Sequence, residues 1–312
     1  MDELWMTKLP DHKKLVLLNI PGSHDSTSYY MNFFGGQYAK TQFYNITKQL
    51  KMGVRKFDVR VGNFKPNIFQ KKLSKKDKDD DKDFICCHGI CDCFSDNKKK
   101  KRLTYKEVLL ELKEFLKDHP GETIILETDS ARDNRYENVK RSIEIRDKTV
   151  GDITINFDKN LTLGESRGKI VCTSFKMNEN DENGKPIYNM NNIGGRGIND
   201  IHFNLGENYS TWEVDGKTKI QELTILFEIA KDFKFVEEDF ITNSNNYPLV
   251  FSISCTGEKK NKLFFPDPKA QSDVVKPFIM KYEFKKEHYY GWMHIDFVDQ
   301  DIAKKIIDTN FP

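Results

Sequence analysis

Two histidines, three aspartates and one arginine stand at the ends of short apolar runs that are typical of β-strands. Each would be a weak signal alone, since a single His at a strand end is more often a structural residue and an isolated Asp-x-Arg is usually a salt bridge. The carboxyl ends of the strands in an α/β barrel meet at one mouth, so we expect these side chains to lie close together. They are His24 and Asp25 after the first run, Asp58 and Arg60 in the second, His88 after the third and Asp296 in the last.

Two imidazoles and a guanidinium at one mouth suit the cleavage of a phosphodiester. One His can take a proton from an attacking hydroxyl while the other gives a proton to the leaving oxygen, and Arg neutralises the oxygens that gain charge. The aspartates would set the tautomer and orientation of the imidazoles. Side chains alternate along a strand, so Asp58 and Arg60 lie on one face, where an ion pair or hydrogen bond would hold the guanidinium.

Short apolar runs alternate with amphipathic stretches along the chain. The clearest helical pattern covers 104–118, where Thr104 and Glu107 form a capping box, and a similar helix ends at Gly53. This alternation predicts an α/β fold with a parallel sheet, and about seven strands favour a closed or slightly open (β/α) barrel over a doubly wound sheet. The predicted strands are Leu15–Ile20, Val54–Val59, Phe84–Cys87, Thr123–Leu126, Ile170–Phe175, Leu249–Ile253 and Trp292–Phe297.

Length and composition favour one domain over residues 1–312, because 312 residues with 38% hydrophobic content can bury one sizeable core. The 50 Lys and Arg against 48 Asp and Glu give a net charge of +2, which does not indicate a nucleic-acid partner. The run 71–83 is predicted to be a charged, solvated insertion, since Leu73 is its only apolar residue.

The sequence contains no apolar run of the ~20 residues that span a bilayer, and its first residues do not form a secretory signal. We therefore expect a soluble monomer in the cytoplasm or at a membrane surface, with secretion left open. Four of the six cysteines lie from Cys86 to Cys93, around His88. They lack the paired spacing of a zinc site, so we expect buried thiols and neither metal nor cofactor.

Six segments, in order along nearly the whole chain, resemble the phosphatidylinositol-specific phospholipase C X-domain family, and in particular its bacterial single-domain branch. The resemblance implies a distorted (β/α) TIM-like barrel. It also implies attack by the inositol 2-hydroxyl on phosphorus, which releases diacylglycerol and a cyclic inositol phosphate. The segments are IPGSHDS at 20–26, GVRKFDVR at 53–60, HG at 88–89, HPGETIILET at 119–128, LGESRGKIV at 163–171 and GWMHIDF at 291–297.

The same resemblance implies a role for each residue at the mouth. His24 matches the general base, with Asp296 as its orienting partner, and His88 matches the general acid, paired with Asp25. Arg60 matches the arginine that contacts the phosphate, where the calcium-dependent eukaryotic relatives place an acidic ligand. The guanidinium would then do the work of the metal ion.

The sequence departs from the bacterial pattern at the expected contacts with the inositol head group. That branch carries basic residues after the fourth and fifth strands, where this chain has Glu127-Thr128-Asp129-Ser130 and Ser174-Phe175-Lys176. Asp129 would accept hydrogen bonds from sugar hydroxyls, and Lys176 or Arg132 would take the place of the missing bases. The expected substrate is phosphatidylinositol or a related inositol lipid.

Two segments place apolar residues on predicted loops at the mouth. Leu263, Phe264 and Phe265, beside lysines, are predicted to touch an anionic membrane surface transiently. Residues 29–36 pack either into the core or against the membrane. Two alternatives remain open: a metal-dependent glycerophosphodiesterase-like barrel, which would need a carboxylate cluster near the histidines, and a catalytically weak lipid-binding module, which would lack a catalytic residue.

Overall fold

The computed structural model of the chain describes only part of its length. Lys176, Leu263, Phe264 and Phe265, and all of the charged run 71–83 except Asp83, lie outside the described residues. Within them, no helix combines the length and the apolar character that crossing a bilayer requires. The described residues are 3–31, 36–64, 83–99, 101–132, 135–158, 160–174, 219–221, 223–224, 227–228, 252–255, 267–286 and 288–312.

Strands and helices alternate along the described residues. The strands are β1 (Ile20–Ser23), β2 (Lys56–Asn63), β3 (Phe84–His88), β4 (Cys91–Asp92), β5 (Ile124–Ser130), β6 (Thr154–Asn156), β7 (Ile170–Ser174), β8 (Ser252–Cys255) and β9 (Trp292–Ile295). The helices are α1 (Gly36–Ala39), α2 (Ile46–Lys51), α3 (Tyr105–Asp118), α4 (Arg135–Val150), α5 (Leu163–Ser166), α6 (Pro268–Lys281) and α7 (Gln300–Ile307).

The strand order follows the cyclic order of a (β/α) barrel except at β6, which lies beyond β7 instead of between β5 and β7. Seven strands form the parallel path β6-β7-β5-β2-β1-β9-β8, in which the last strand, β9, pairs with the first, β1. A doubly wound sheet would instead reverse direction at its first strand. The barrel is distorted because β3 runs antiparallel to the end of β2, with Val61 opposite Cys86, and continues into β4. This hairpin carries His88 to the mouth.

Alternation along the strands sorts their side chains onto two faces. One face packs with the helices in a large core that includes Phe57, Val59, Leu126, Met293 and Ile295. The other face forms a smaller apolar layer that is closed by residues near the N-terminus, among them Trp5 and Leu15. Its strand members are Ile20, Ile125, Val171 and Trp292. Further toward the carboxyl ends of the strands, this second face becomes polar and charged.

The capping and turn signals of the sequence are found at the expected places, whereas the bounds of the first two predicted strands are shifted. β2 covers Lys56–Asn63 instead of the predicted Val54–Val59. The capping box of Thr104 and Glu107 opens α3, and Gly53, at a φ of 92°, follows the end of α2. The first predicted strand begins too early, because Leu15–Leu17 is a 3-10 turn and β1 starts at Ile20. A continuous apolar run does not reveal its conformation by periodicity. Here its first part, Leu15 and Val16, is buried in the apolar layer.

Candidate active site

His24 follows β1 directly and is held by Asp296, which follows the neighbouring strand β9. The Nδ1 atom of His24 lies 2.8 Å from Oδ1 of Asp296, and both side chains are buried. A carboxylate only accepts hydrogen bonds, so Nδ1 carries the proton and Nε2 keeps its lone pair. That nitrogen lies 3.2 Å from Nη2 of Arg60. The tautomer is the one that a general base requires.

The two loops that carry this pair are tied together by Gln42. Its Nε2 donates to the carbonyl oxygens of His24, at 2.8 Å, and Ile295, at 2.9 Å. Asp25 and Phe297, which follow His24 and Asp296, adopt left-handed backbone conformations with φ of 39° and 52°. Such conformations persist in non-glycine residues only where the surrounding structure holds them. The imidazole and its carboxylate are therefore presented by tightly constrained turns.

Arg60, on β2, is held by two carboxylates. Its Nε lies 2.6 Å from Oδ1 of Asp25, and its Nη2 lies 3.3 Å from Oδ2 of Asp58. The same Asp58 oxygen accepts a hydrogen bond of 3.2 Å from the backbone nitrogen of Asp25. The predicted pairing of Asp58 with Arg60 is present, and Asp25 adds a second anchor. The planar guanidinium thus has a defined orientation beside His24.

His88, at the end of β3, faces His24 across the mouth. The two ring centroids are 6.3 Å apart. Nε2 of His88 lies 3.0 Å from Oδ2 of Asp25, and Nδ1 lies 2.7 Å from the carbonyl oxygen of Ala39. Both ring nitrogens thus face an acceptor to which an N–H can be donated, and a general acid needs an N–H to give.

Burial and neighbouring charges act against each other at these groups. Burial lowers the pKa of His24, but Asp25 and Asp296 raise it by more, so its pKa lies above the ordinary value of 6.5. Burial also acts to raise the pKa of Asp58, yet Arg60 and His24 hold that pKa well below its usual range. Asp58 therefore stays ionised throughout the working range of the imidazoles.

The raised pKa of His24 predicts the acidic limb of the pH profile. A general base works when neutral, so kcat/KM should fall as the pH drops through this pKa. Asp296→Asn removes a charge that raises the pKa, so the limb should move to lower pH, while the plateau falls because the tautomer is no longer held. We expect Asp301→Asn, at an exposed position of α7, to leave the limb in place. An unmoved limb in Asp296→Asn would contradict this account.

Three described residues have donor atoms close enough to share a metal ion. Donor atoms of His24, Asp25 and Asp58 lie within 4.8 Å of one another. Both carboxylates already contact Arg60, at 2.6 and 3.3 Å. A cation bound among these atoms would face a fixed positive charge at close range. The donor set therefore fits the guanidinium better than it fits a divalent ion.

Asp129 lies at the site, as a predicted contact of the head group should. It is buried and stands opposite Arg60 in the register of β5 and β2. Its charge contributes to raising the pKa of Arg60, after the larger effects of burial, which lowers it, and of Asp25 and Asp58. The other predicted contact, Lys176, lies outside the described residues.

Arg132, the predicted alternative to Lys176, makes its contacts with the hairpin β3–β4 and the end of β2. Its Nη2 pairs with Oδ1 of Asp92 at 2.5 Å. Its other nitrogens donate to the carbonyl oxygens of Asn63, at 2.9 Å, and Gly89, at 3.3 Å. These contacts join the hairpin that carries His88 to the end of β2. Arg132 therefore supports the position of His88 rather than reaching the mouth.

The cysteines around His88 are buried, as the sequence predicts. Cys86, Cys87, Cys91 and Cys93 are all free and buried. Burial raises the pKa of Cys87 to about 12. The sulfur of Cys93 lies 3.6 Å from the hydroxyl of Thr27. Cys86, Cys91 and Cys93 belong to the large core, whereas Cys87 lies on the opposite face of β3. Because burial raises their pKa values, these thiols hold little thiolate at neutral pH.

The sequence reading missed a buried charged cluster directly below the mouth. Nζ of Lys56 lies 2.7 Å from Oε2 of Glu127, and Nε2 of His294 lies 3.4 Å from the same oxygen. The signal was present, because each of the three stands two residues before a residue of the site on the same strand. Alternation places such pairs on one face.

No protein-family model matches the chain. A 1-phosphatidylinositol phosphodiesterase of Staphylococcus aureus strain Newman is 29% identical over 54% of this chain and 49% of the relative. The chain therefore spans about half the length of this curated relative. The 1-phosphatidylinositol phosphodiesterase of Listeria monocytogenes is 24% identical over 98% of this chain and 84% of its own length. A PI-PLC X domain-containing protein 3 of Danio rerio is 32% identical over 39% of this chain and 40% of the relative.

Solved structures resemble the chain over nearly its whole length. A mutant phosphatidylinositol-specific phospholipase C of Staphylococcus aureus matches 99% of this chain and 98% of its own, with a TM-score of 0.69 and 21% identity. The enzyme of Listeria monocytogenes matches 99% of both chains, with a TM-score of 0.60 and 22% identity. The predicted resemblance and the predicted α/β, TIM-like barrel are confirmed.

Proposed function

We propose that this protein is a phosphatidylinositol-specific phospholipase C that acts as a phosphorus-oxygen lyase without a metal cofactor. One observation carries the proposal: Nε2 of His24, the guanidinium of Arg60 and the imidazole of His88 converge on Asp25 at one barrel mouth. An intramolecular attack on a phosphodiester needs a base, a phosphate anchor and an acid in such proximity. The printed names of the relatives point to the same chemistry.

The reaction transfers two protons and consumes no water in its first step. Nε2 of His24 takes the proton of the inositol 2-hydroxyl as its oxygen bonds to phosphorus. The bond from phosphorus to the glycerol oxygen breaks, and Nε2 of His88 gives that oxygen a proton. Diacylglycerol and inositol 1,2-cyclic phosphate leave. Arg60 stabilises the charge on the phosphate oxygens, as a preorganised donor does elsewhere.

Asp25 contacts all three groups, His24, Arg60 and His88. Its Oδ1 lies 2.6 Å from Nε of Arg60, and its Oδ2 lies 3.0 Å from Nε2 of His88 and 3.4 Å from Nε2 of His24. When Nε2 of His88 gives up its proton, Nδ1 keeps its own and still donates to the carbonyl oxygen of Ala39, 2.7 Å away, which holds the ring in place. Asp129 and Lys176 stay our proposed contacts for the inositol ring.

Two other functions have less support. A metal-dependent glycerophosphodiesterase-like barrel would need carboxylates open to a cation, and Asp25 and Asp58 are both paired with Arg60. A lipid-binding module without turnover has no need of a correctly tautomeric His24–Asp296 pair. The experiment that tests the proposal is incubation of the purified protein with phosphatidylinositol vesicles, with the products identified. We expect diacylglycerol and a cyclic phosphate, and release of phosphatidic acid instead would overturn the proposal.

The substrate is a lipid, so we propose transient docking of the mouth on a membrane. Two apolar side chains missed by the sequence reading support this. Ile90, two residues after His88, is 94% exposed, and Phe43 is 43% exposed. The ammonium groups of Lys40 and Lys269 lie 5.2 and 5.9 Å from the centre of the Phe43 ring. Exposed apolar groups beside lysines suit the interface of an anionic leaflet.

Replacing Ile90 and Phe43 together by Ser should weaken binding to anionic phosphatidylinositol vesicles. Full burial of such a side chain is worth ~1.5–3 kcal/mol, so partial insertion should contribute less than this for each. Sedimentation of vesicles would measure the affinity. Activity on a short, water-soluble inositol phosphodiester should persist.

Leu110→Ser is the matched control, because Leu110 is 47% exposed on α3 and away from the mouth. Equal weakening by the control would remove the case for docking through the mouth. Leu263, Phe264 and Phe265 remain predicted contacts, and their replacement by Ser belongs in the same series.

A further inference from the structure

A second layer of side chains lies directly beneath the residues of the mouth. Lys56 precedes Asp58 by two residues on β2, and Glu127 precedes Asp129 on β5. His294, on β9, precedes Asp296, which directly follows that strand. Two residues along a strand return to the same face, so each upper carboxylate stands above a member of the lower layer. All six side chains belong to residues that are buried.

The three members of the lower layer are joined to one another. Nζ of Lys56 lies 2.7 Å from Oε2 of Glu127, and Nε2 of His294 lies 3.4 Å from that oxygen. The nitrogens of Lys56 and His294 are also in direct contact. Lys56 therefore contacts both of the other members of the layer.

β1 lies between β2 and β9, and it leaves space for the junction, the contact between the side chains of Lys56 and His294. Gly22 of β1 stands opposite Lys56 on one side and His294 on the other. A Cβ atom at Gly22 would lie 2.7 Å from the carbonyl oxygen of Met293 and 3.0 Å from Cβ of Lys56. The absence of a side chain there lets Lys56 and His294 meet across β1. Three strands that carry site residues are thereby joined through their side chains.

A buried ion cluster is poor evidence for stability, because apolar residues of similar volume often stabilise a core equally well. Its specific effect is on position, since ion pairs hold their partners at defined distances. Here the joined strands carry Arg60, Asp129 and the Asp296 that orients His24. A shift of these strands would change the distance between Nη2 of Arg60 and Nε2 of His24, which is 3.2 Å.

We propose that Lys56, Glu127 and His294 are positioning residues. They fix how far β2, β5 and β9 are shifted along one another, and this shift sets the position of Arg60 relative to His24. The inference rests on the proposed function, because its readout is phosphodiester cleavage. None of the three touches the reacting atoms. A misplacement of ~1 Å at a reacting centre can cost as much as ~10²-fold in rate.

The test compares Lys56→Met, His294→Gln and the triple variant Lys56→Met/Glu127→Met/His294→Leu with the wild type. The triple variant removes both charges and the imidazole, so it leaves no buried ion unpaired and should fold with little loss of thermal stability. We expect kcat on a water-soluble inositol phosphodiester to fall by at least ~10-fold in the triple variant, with a smaller change in KM.

A second readout separates positioning from general damage. Sulfur in place of the phosphate oxygen that Arg60 contacts should slow the wild-type enzyme, because the contact with the guanidinium would be weakened. If Arg60 is already misplaced, the ratio of the oxygen to the sulfur rate should shrink toward one. A loss of folded protein alone would lower both rates and leave their ratio unchanged.

Arg55→Met is the matched control. Arg55 precedes Lys56 on the chain and forms another fully buried ion pair, with Nε 2.8 Å from Oε2 of Glu122. This control should lose stability and keep the wild-type sulfur ratio. A wild-type ratio and kcat in every folded variant of the lower layer would overturn the inference, as would an equal change in Arg55→Met. An inactive wild type would instead overturn the proposed function.

Discussion

Replacing either His24 or His88 by Ala should lower kcat by ~10²–10⁴-fold, the range typical of general acid-base groups. In the proposed reaction His24, which lies 2.8 Å from Asp296, accepts the first proton, and His88, which lies 3.0 Å from Asp25, donates the second. Because both act in one transfer, the double variant should lose little more than the worse single variant. Initial rates on a soluble inositol phosphodiester measure all three.

The control for these variants is His12→Ala, since His12 is exposed on the N-terminal segment and should leave kcat unchanged. Near wild-type turnover in either His24→Ala or His88→Ala would show that the base or the acid has been misassigned. Strictly additive losses would show that the two imidazoles act in separate steps.

Arg60→Lys should lower kcat by ~10²–10³-fold, the usual effect of losing one donor to a developing charge. The guanidinium meets Asp25 through Nε and Asp58 through Nη2, at 2.6 and 3.3 Å, and still lies beside His24. A lysine ammonium is a point charge on a flexible stem and cannot keep the contacts with Asp25 and Asp58 and the position beside His24 at once. Because Lys keeps the positive charge, the loss of rate measures the contribution of the guanidinium geometry.

Arg167→Lys provides the matched control for this change. Arg167 donates to the carbonyl oxygens of Met6, at 3.1 Å, and Leu9, at 2.6 Å, and pairs with Asp11. It therefore makes several directed contacts away from the mouth, and its replacement should lower thermal stability and leave kcat intact. If Arg60→Lys kept more than a tenth of the wild-type rate, the planar contact with phosphate would not be essential.

The residues of the mouth were predictable because they depend on local rules. Strand ends converge in a barrel, and polar residues after apolar runs mark that convergence, as His24, Arg60 and Asp296 illustrate. His88 reaches the same mouth by another route, because β3 is not a parallel barrel strand and runs antiparallel to β2. The capping box at Thr104 was equally local. The predicted roles of the catalytic residues remain proposals, although their distances favour them.

Other features depend on contacts between distant segments and could not be predicted from spacing. Arg132 supports the hairpin of His88 because Asp92 and the carbonyl oxygens of Asn63 and Gly89 surround it. The junction of Lys56 with His294 joins residues 238 positions apart. A sequence shows that such residues share a strand face with the site, but only the register of β1 brings them together.

The most direct test of the central claim is product formation from phosphatidylinositol vesicles by protein stripped of metal and assayed in EDTA. The account predicts that inositol 1,2-cyclic phosphate forms at the same rate with and without the chelator, because Arg60 supplies the positive charge at the phosphate. Activity that vanishes in EDTA and returns with calcium would contradict it, since the phosphate would then depend on a metal ion rather than on the guanidinium.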